Sequence, residues 1–488
     1  MVPSILEQVY THAQRQPDKA ALIEKGVAVS YGAFWRQIVR YAHLLRDNGL
    51  SRGEHTVVVA EQTVAFLAVG FAIQLAGGVF VPLEKNTGAA RIEEIMNLTG
   101  ARLLVGAKPA DTDCVFLSWA TLEEKTDTGA APAFSFPEAD TVSEILFTTG
   151  TTGKSKGVVL TFGSCVAVAE NVVAGVCMPA DNVQLIPVPL NHVYGLRRCY
   201  GNLYNGSTIA LLDGVIFMKA FFDALDTLGV TSIALVPSAL AVLFKLSGDR
   251  LGDYTDQLAY IEISSAELPE ADKQRLCELM PRTRLYNIYG SSEAGCSCVI
   301  DFNRDRNLTN CIGTPALNGT LLFTDEDRRE KQSSAEDPGL LATAGPTVMK
   351  GYFAEPALTE ETLRDGVVFS NDLAYRGDDG RVYLVGRRDD VINVGGRKVA
   401  PAEMEQLVLT MEGIEDCACV GVPDEMLGQV PKLFVVMQAG AVFDERAVLR
   451  HLESRAEPYK RPRLFEEVTE IPRSFNGKVL RRQLRDKP

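Results

Sequence analysis

The chain has 488 residues, 46% of them apolar and 23% charged, so it is expected to fold as more than one globular domain. A net charge of −14, from 49 Lys and Arg against 63 Asp and Glu, argues against nucleic-acid binding. No apolar stretch reaches the roughly 18 residues of a membrane-spanning helix, and Met1–Glu7 lacks a basic region before an apolar run, so the cytoplasm is the expected compartment.

Residues 5–50 read as two helices around a short strand pair. Ala20–Ile23 and Val27–Val29 flank Lys25-Gly26, a hairpin signal, and Phe34 to Leu45 has apolar residues at helical spacing. Thr56–Val59 reads as a strand. A helix through Leu67, Phe71 and Leu75 follows, ended by Gly77-Gly78, before the strand Val79–Leu83. The alternation recurs to about residue 300, as in parallel sheets covered by helices, with a helix Phe221–Leu228 before Ser232–Val236 and a helix Ala271–Leu279 before Arg284–Ile288. Thr324–Pro338 is polar and aperiodic, a loop between strands of a smaller β-rich region.

The pattern restarts near residue 389. Pro401–Met411 reads as a helix, Cys417–Val422 and Lys432–Met437 as strands, Asp444–Ser454 as a helix capped by Asp444, and Arg463–Val468 as a strand. The expected fold class is α/β. A large N-terminal domain of parallel sheets flanked by helices (1–388) carries a β-rich subdomain, and a small α+β C-terminal domain (389–488) follows. Ten cysteines occur, none in a Cys-x-x-Cys pair, and five histidines give zinc little support, so ten reduced, mostly buried thiols are expected. Cys296/Cys298 and Cys417/Cys419 are spaced to share one face of a strand. Residues 455–488 hold ten Lys and Arg against five Asp and Glu, a segment that either faces an anionic partner or is a solvated surface.

Four segments carry chemistry. The strand Ile145-Leu146-Phe147 runs into Thr148-Thr149-Gly150-Thr151-Thr152-Gly153-Lys154-Ser155-Lys156-Gly157. Its glycines allow close backbone approach to an anion, and its hydroxyls and lysines suit a polyphosphate. It is not the kinase P-loop, because Thr148 stands where that motif needs glycine. In Tyr286-Asn287-Ile288-Tyr289-Gly290-Ser291-Ser292-Glu293, an aromatic could stack on a base, a hydroxyl bind phosphate and the carboxylate hold Mg²⁺; taken alone, a plain strand-to-loop turn is the favoured reading. In Ser370-Asn371-Asp372 and Gly386-Arg387-Arg388-Asp389-Asp390, an aspartate can take ribose hydroxyls and an arginine can bridge ribose or phosphate oxygens. In Asn476-Gly477-Lys478-Val479, a lysine beside glycine can reach a site on another domain or simply be solvated.

Together and in this order, these segments resemble the adenylate-forming (ANL) superfamily of acyl- and aryl-CoA synthetases, nonribosomal peptide synthetase adenylation domains and firefly luciferase. Gly313-Thr314-Pro315, Gly345–Tyr352, Val394–Glu403 and Gly421–Asp424 extend the resemblance over nearly the whole chain. Ser155 replaces a usual proline, Ser292 a threonine, Ser370-Asn371 a Thr-Gly pair and Gln429 a glutamate. The resemblance implies an ATP-dependent, Mg²⁺-requiring, AMP-forming ligase with a mobile C-terminal domain. It makes Lys478, Lys156 and Glu293 catalytic, with Glu293 on the metal. It places Thr148, Thr149, Gly150, Thr151 and Thr152 on the phosphates, Ser264, Ser265, Ala266, Asn287, Tyr289 and Gly290 around adenine, and Ser292 at the α-phosphate. It assigns Asp372 and Arg387 to ribose, Asp389 to the hinge, and Gly395 and Gly396 to the thiol channel.

The acid pocket is expected around His192, Arg197 and Tyr286. Pro189–Gly195 resembles the family's acyl-pocket motif, although His192 merely closing a turn is an equal reading. Arg197 could bind a polar group of the acid, or form a salt bridge. Asn191-His192 stands where amino-acid-activating members have Phe-Asp, which points to an acyl or aryl acid rather than an α-amino acid. Coenzyme A is the expected thiol. A carrier-protein ligase, a luciferase-like oxygenase and a non-catalytic nucleotide-binding relative stay open.

Overall fold

The structure is a computed structural model that describes residues 3–106, 114–124, 134–149, 155–395, 397–473 and 479–485. Its apolar segments form two sheets that share one layer of helices. Phe80, Leu146 and Val158 from one sheet and Leu22, Ile186 and Ile209 from the other join a single buried cluster with those helices. The helix Val64–Leu75 (VAFLAVGFAIQL) lies in this layer. It is apolar on every side, as a helix between two sheets must be, and Thr63 caps it by accepting from Phe66 N–H at 3.3 Å.

The smaller of these two sheets runs Gly351–Tyr352, Ser155–Thr161, Val142–Thr149, Val79–Leu83, His55–Val59, Leu103–Val105, Val115–Leu117. Its last five strands are parallel, and Val142–Thr149 and Ser155–Thr161 form an antiparallel hairpin. The hairpin feeds the helix Phe162–Gly175 through a capping box: Thr161 Oγ1 accepts from Ser164 N–H and Ser164 Oγ from Thr161 N–H, both at 3.1 Å.

In the larger sheet, Ala20–Glu24, Thr208–Leu211, Val183–Ile186, Ser232–Leu235, Tyr260–Ser264 and Arg284–Ser291 are parallel. From Gly295–Asp301 onward the pairing is antiparallel through Cys311–Pro315, Val382–Arg387, Val367–Arg376, Gly339–Ala344 and Thr320–Thr324. The expected β-rich region is thus a continuation of the large sheet. The reversal closes tightly at Gly290, where a Cβ would lie 2.1 Å from the Gly295 carbonyl oxygen. The ladder slips between Tyr289 and Gly290, so Cys296 and Cys298, expected on one face, pack into different clusters.

The third sheet is made of strands between Ile392 and Glu467. Cys417 and Cys419 pack in one buried cluster with Leu433 of the sheet and Met404 of the helix Pro401–Leu409. None of the ten cysteines forms a disulfide, and eight are buried. Among the described residues no helix is long and apolar enough to cross a membrane.

Candidate active site

The phosphate-type hairpin and the tyrosine–carboxylate segment meet through a residue the motif reading passed over. Thr148 pairs with Lys156 near the hairpin end, and Tyr352 pairs with Val158 on the hairpin's outer strand. The Lys156 Nζ lies 5.4 Å from the centre of the Tyr352 ring. The Tyr352 hydroxyl donates to Glu293 Oε1 at 2.7 Å, and Met349 N–H donates to the Glu293 carbonyl at 2.7 Å. Glu293 Oε2 accepts no hydrogen bond from a described residue. A single carboxylate oxygen free beside a polyphosphate-type hairpin fits Mg²⁺, which takes one or two carboxylates and completes its shell with substrate phosphate and water. No group of three or more His, Cys, Asp or Glu side chains that could cage a metal occurs among the described residues.

Four residues earlier on the same turn, the Tyr289 hydroxyl donates to Asp372 Oδ2 at 2.5 Å. Burial, then the Asp372 charge, pushes the Tyr289 hydroxyl well above the ordinary phenol range, so it stays protonated. Asp372 pairs in register with Arg387, whose Nε lies 3.6 Å from Asp372 Oδ1. Ser370 Oγ accepts from Asp372 N–H at 3.1 Å, a local turn that fixes the aspartate. Ser264 Oγ donates to the Ile288 carbonyl at 2.7 Å and ties the Ser264–Ala266 segment to the Tyr289 strand, and Ser265 holds a left-handed φ of 79°. Asn287, two positions from Tyr289, shares its side of the strand.

Two pocket expectations are corrected. Arg197 is 3% exposed and its Nη2 donates to Glu144 Oε1 at 2.7 Å, with the Tyr200 hydroxyl on Glu144 Oε2 at 2.7 Å. Its charge is committed to a buried ion pair, not to a ligand pocket. Tyr286 is 5% exposed and meets Tyr260 edge-on in a core cluster, because strand alternation turns it away from the Asn287–Tyr289 side. His192 is the N-cap residue of the helix Val193–Asn205. Burial lowers its pKa, with Glu84 opposing. The first turn of that helix needs Gly195, where a Cβ would lie 2.3 Å from the Pro189 carbonyl oxygen.

That helix carries a feature invisible in the motifs. Arg198, next to Arg197, pairs with Glu262 on the strand Tyr260–Ser264, while Glu144 lies on Val142–Thr149. Consecutive helix positions diverge by about 100°, so two adjacent arginines reach two different sheets. Gln184 donates to Glu262 at 2.5 Å, and Asn202 and Asn182 extend the buried polar network.

Asp389 Oδ2 accepts from Asn371 Nδ2 at 3.3 Å. Gly395 donates its N–H to the Leu427 carbonyl at 2.9 Å with φ 58°. Gln429 keeps an acceptor where its replaced glutamate would have one, with Oε1 taking Asn393 N–H at 2.9 Å. Near the C-terminus, Arg481 holds both Glu405 oxygens at 2.6 and 2.7 Å, Arg485 meets Asp390 at 2.9 Å and Arg473 meets Asp416 at 2.7 Å. The expected site residues Gly150, Thr151, Thr152, Gly396 and Lys478, and the Thr149 side chain, lie outside the described residues.

A family model described as "AMP-binding enzyme" matches residues 9–353, and one described as "AMP-binding enzyme C-terminal domain" matches residues 403–478. A 2-succinylbenzoate–CoA ligase of Bacillus cereus is 30% identical over 482 residues, covering 96% of this chain and 95% of that protein. A feruloyl-CoA synthase of an Amycolatopsis species is 29% identical, covering 97% and 96%. The crystal structure of ATP-bound MatB from Rhodopseudomonas palustris superposes with a TM-score of 0.89 at 24% identity, covering 100% and 99% of the two chains.

Proposed function

The chain belongs to the AMP-binding enzyme family, and from that premise we propose that it is an AMP-forming acid–CoA ligase acting on an acyl or aryl carboxylic acid. The observation that carries this reading is the chain of contacts Lys156–Tyr352–Glu293 and Tyr289–Asp372–Arg387, which gathers segments more than 200 residues apart in sequence around one turn. The named ligase relatives support coenzyme A as the thiol over a carrier protein.

The acid carboxylate attacks the α-phosphorus of ATP and pyrophosphate leaves, giving an acyl-adenylate. The CoA sulfur then adds to the acyl carbon and AMP departs, with the thiol proton released to solvent. The obstacle in the first step is repulsion between two anions, so the protein's task is positioning and placing positive charge where negative charge gathers. Thr148, Thr149, Gly150, Thr151, Thr152 and Lys156 are assigned to the β- and γ-phosphates and Ser292 to the α-phosphate. Tyr289, with Asn287, Gly290 and Ser264–Ala266, is assigned to adenine, and Asp372 with Arg387 to ribose. Bound at Glu293, Mg²⁺ would draw charge from the phosphate oxygens. Lys478 is assigned to the carboxylate and α-phosphate, His192 to the acid pocket, Asp389 to the hinge between residues 1–388 and 389–488, and Gly395 and Gly396 to the thiol channel.

Ten cysteines without a disulfide and the use of ATP and CoA favour a cytoplasmic setting. The test is ATP–pyrophosphate exchange over a panel of acyl, aryl and α-amino acids, followed by product analysis with and without CoA. Exchange with an acyl or aryl acid and a CoA thioester as product are expected. Exchange with α-amino acids alone, or none at all, would overturn the reading.

A further inference from the structure

We propose that Tyr352 is a positioning residue that aims Glu293 at the metal and Lys156 at the phosphates, so that one side chain sets both charges of the pyrophosphate end of the site. The proposal rests on the reading of Glu293 as the Mg²⁺ carboxylate.

Tyr352 is built to hold still. It is 8% exposed. Its backbone pairs with Val158 of the hairpin on one side, and its N–H donates to Thr359 Oγ1 at 2.9 Å on the other. The neighbouring N–H groups of Lys350 and Phe353 donate to Val159 at 2.8 Å and Gly157 at 2.7 Å, so the Lys350–Phe353 segment is stitched along the hairpin that carries Lys156. From this fixed base the hydroxyl spans to Glu293 Oε1 at 2.7 Å.

A carboxylate on a turn has free rotation about its last bonds. A donor on one oxygen fixes the plane and directs the other oxygen's lone pairs outward, and outer partners of this kind tune metal affinity. The ring does the second half of the work. Its face lies 5.4 Å from Lys156 Nζ, which attracts the ammonium and limits its wandering without neutralising it as a carboxylate partner would. A tyrosine here therefore orders a lysine and a glutamate near one another without letting them form a salt bridge, which would cancel the charges that the phosphates and the metal require.

Tyr352→Phe removes only the hydroxyl, and Tyr352→Leu removes the ring as well. ATP binding is measured by calorimetry across a Mg²⁺ series, beside thioester formation from supplied acyl-adenylate and CoA. Tyr352→Phe should bind ATP without Mg²⁺ as the parent does. It should need about 10-fold more Mg²⁺ to bring the ATP affinity half-way to its saturated value, and it should keep the thioester half-reaction. Tyr352→Leu should in addition weaken Mg²⁺-free ATP binding a few-fold, about what loss of a cation–π contact allows. A Mg²⁺ midpoint for Tyr352→Phe within twofold of the parent, or equal loss in Mg²⁺-free binding and in the thioester step, overturns the proposal. Equal Mg²⁺-free affinities of the two variants overturn the Lys156 half of it. Failure of the parent enzyme to exchange pyrophosphate with any acid would instead overturn the ligase reading, while the calorimetric comparison still decides Tyr352.

Discussion

Replacing Glu262 by leucine should destabilise the large domain by about 3–5 kcal/mol, the cost of stranding one charge of a buried pair. Glu262 is fully buried and Arg198 is 2% exposed. Burial opposes the Arg198 charge, and the Glu262 carboxylate is the main group that offsets it. The leucine would leave the guanidinium with no anion, when its Nε already lacks a partner, and would strip Gln184 Nε2 of its acceptor, adding about 1 kcal/mol. A loss of this size is a large fraction of a typical total of about 5–15 kcal/mol. Urea unfolding of the full chain, read as the midpoint at constant slope, measures it. Removing the arginine too should give stability back, because no isolated charge remains. The decisive comparison is therefore Glu262→Leu against Arg198→Met/Glu262→Leu. If the single variant loses less than about 1 kcal/mol, or if the double variant is the less stable of the two, the ion pair does not hold the helix to the strand Tyr260–Ser264.

Lys478→Ala should nearly abolish pyrophosphate exchange while sparing thioester formation from supplied adenylate; equal loss in both half-reactions would contradict that division of labour. Asp372→Asn keeps an acceptor for Tyr289 but removes the charge facing Arg387, and should raise the KM for ATP roughly 10-fold, the effect of losing one charge-assisted hydrogen bond. An unchanged KM in steady-state assays would remove Asp372 from the ribose site. Burial lowers the pKa of His12, His55 and His192, opposed in turn by the Tyr204 carbonyl, the Thr99 carbonyl and Glu84. Each is held neutral in the fold, so the unfolded chain binds more protons below pH 6.5. The stability these groups supply is present above about pH 6.5 and lost as pH falls through their lowered folded values. Urea midpoints should therefore fall from pH 7 to pH 5.5, and a flat or rising profile would refute the assignment.

The parts legible in the sequence are those whose chemistry limits residue choice. Thr148–Gly157, Tyr286–Glu293 and the segments at Asp372 and Arg387 stand out by glycine, hydroxyl and charge in fixed order. Arg197 and Arg198 are ambiguous in sequence because a pair of adjacent arginines has the same composition on a wet surface, in a pocket or between two sheets. Their partners Glu144 and Glu262 each sit inside an apolar strand, where an isolated acid is the available hint. Tyr352 ends the Gly345–Tyr352 segment, but nothing in a Gly-Tyr pair says that its hydroxyl crosses to a carboxylate 59 residues earlier. The separation of Cys296 from Cys298 depends on a bulge, which strict alternation cannot encode.

The basic C-terminal segment takes on another meaning once its partners are known. Lys460, Arg473, Arg481 and Arg485 draw Glu403, Asp416, Glu405 and Asp390 from the preceding hundred residues, so much of the apparent surplus is neutralised within the small domain. Arg481 and Arg485 anchor the chain just after Lys478 to the residue beside Asp389. With Asp389 as the proposed hinge, these arginines would turn with the small domain like the pin of a rowlock, rather than wait as bait for a passing anion.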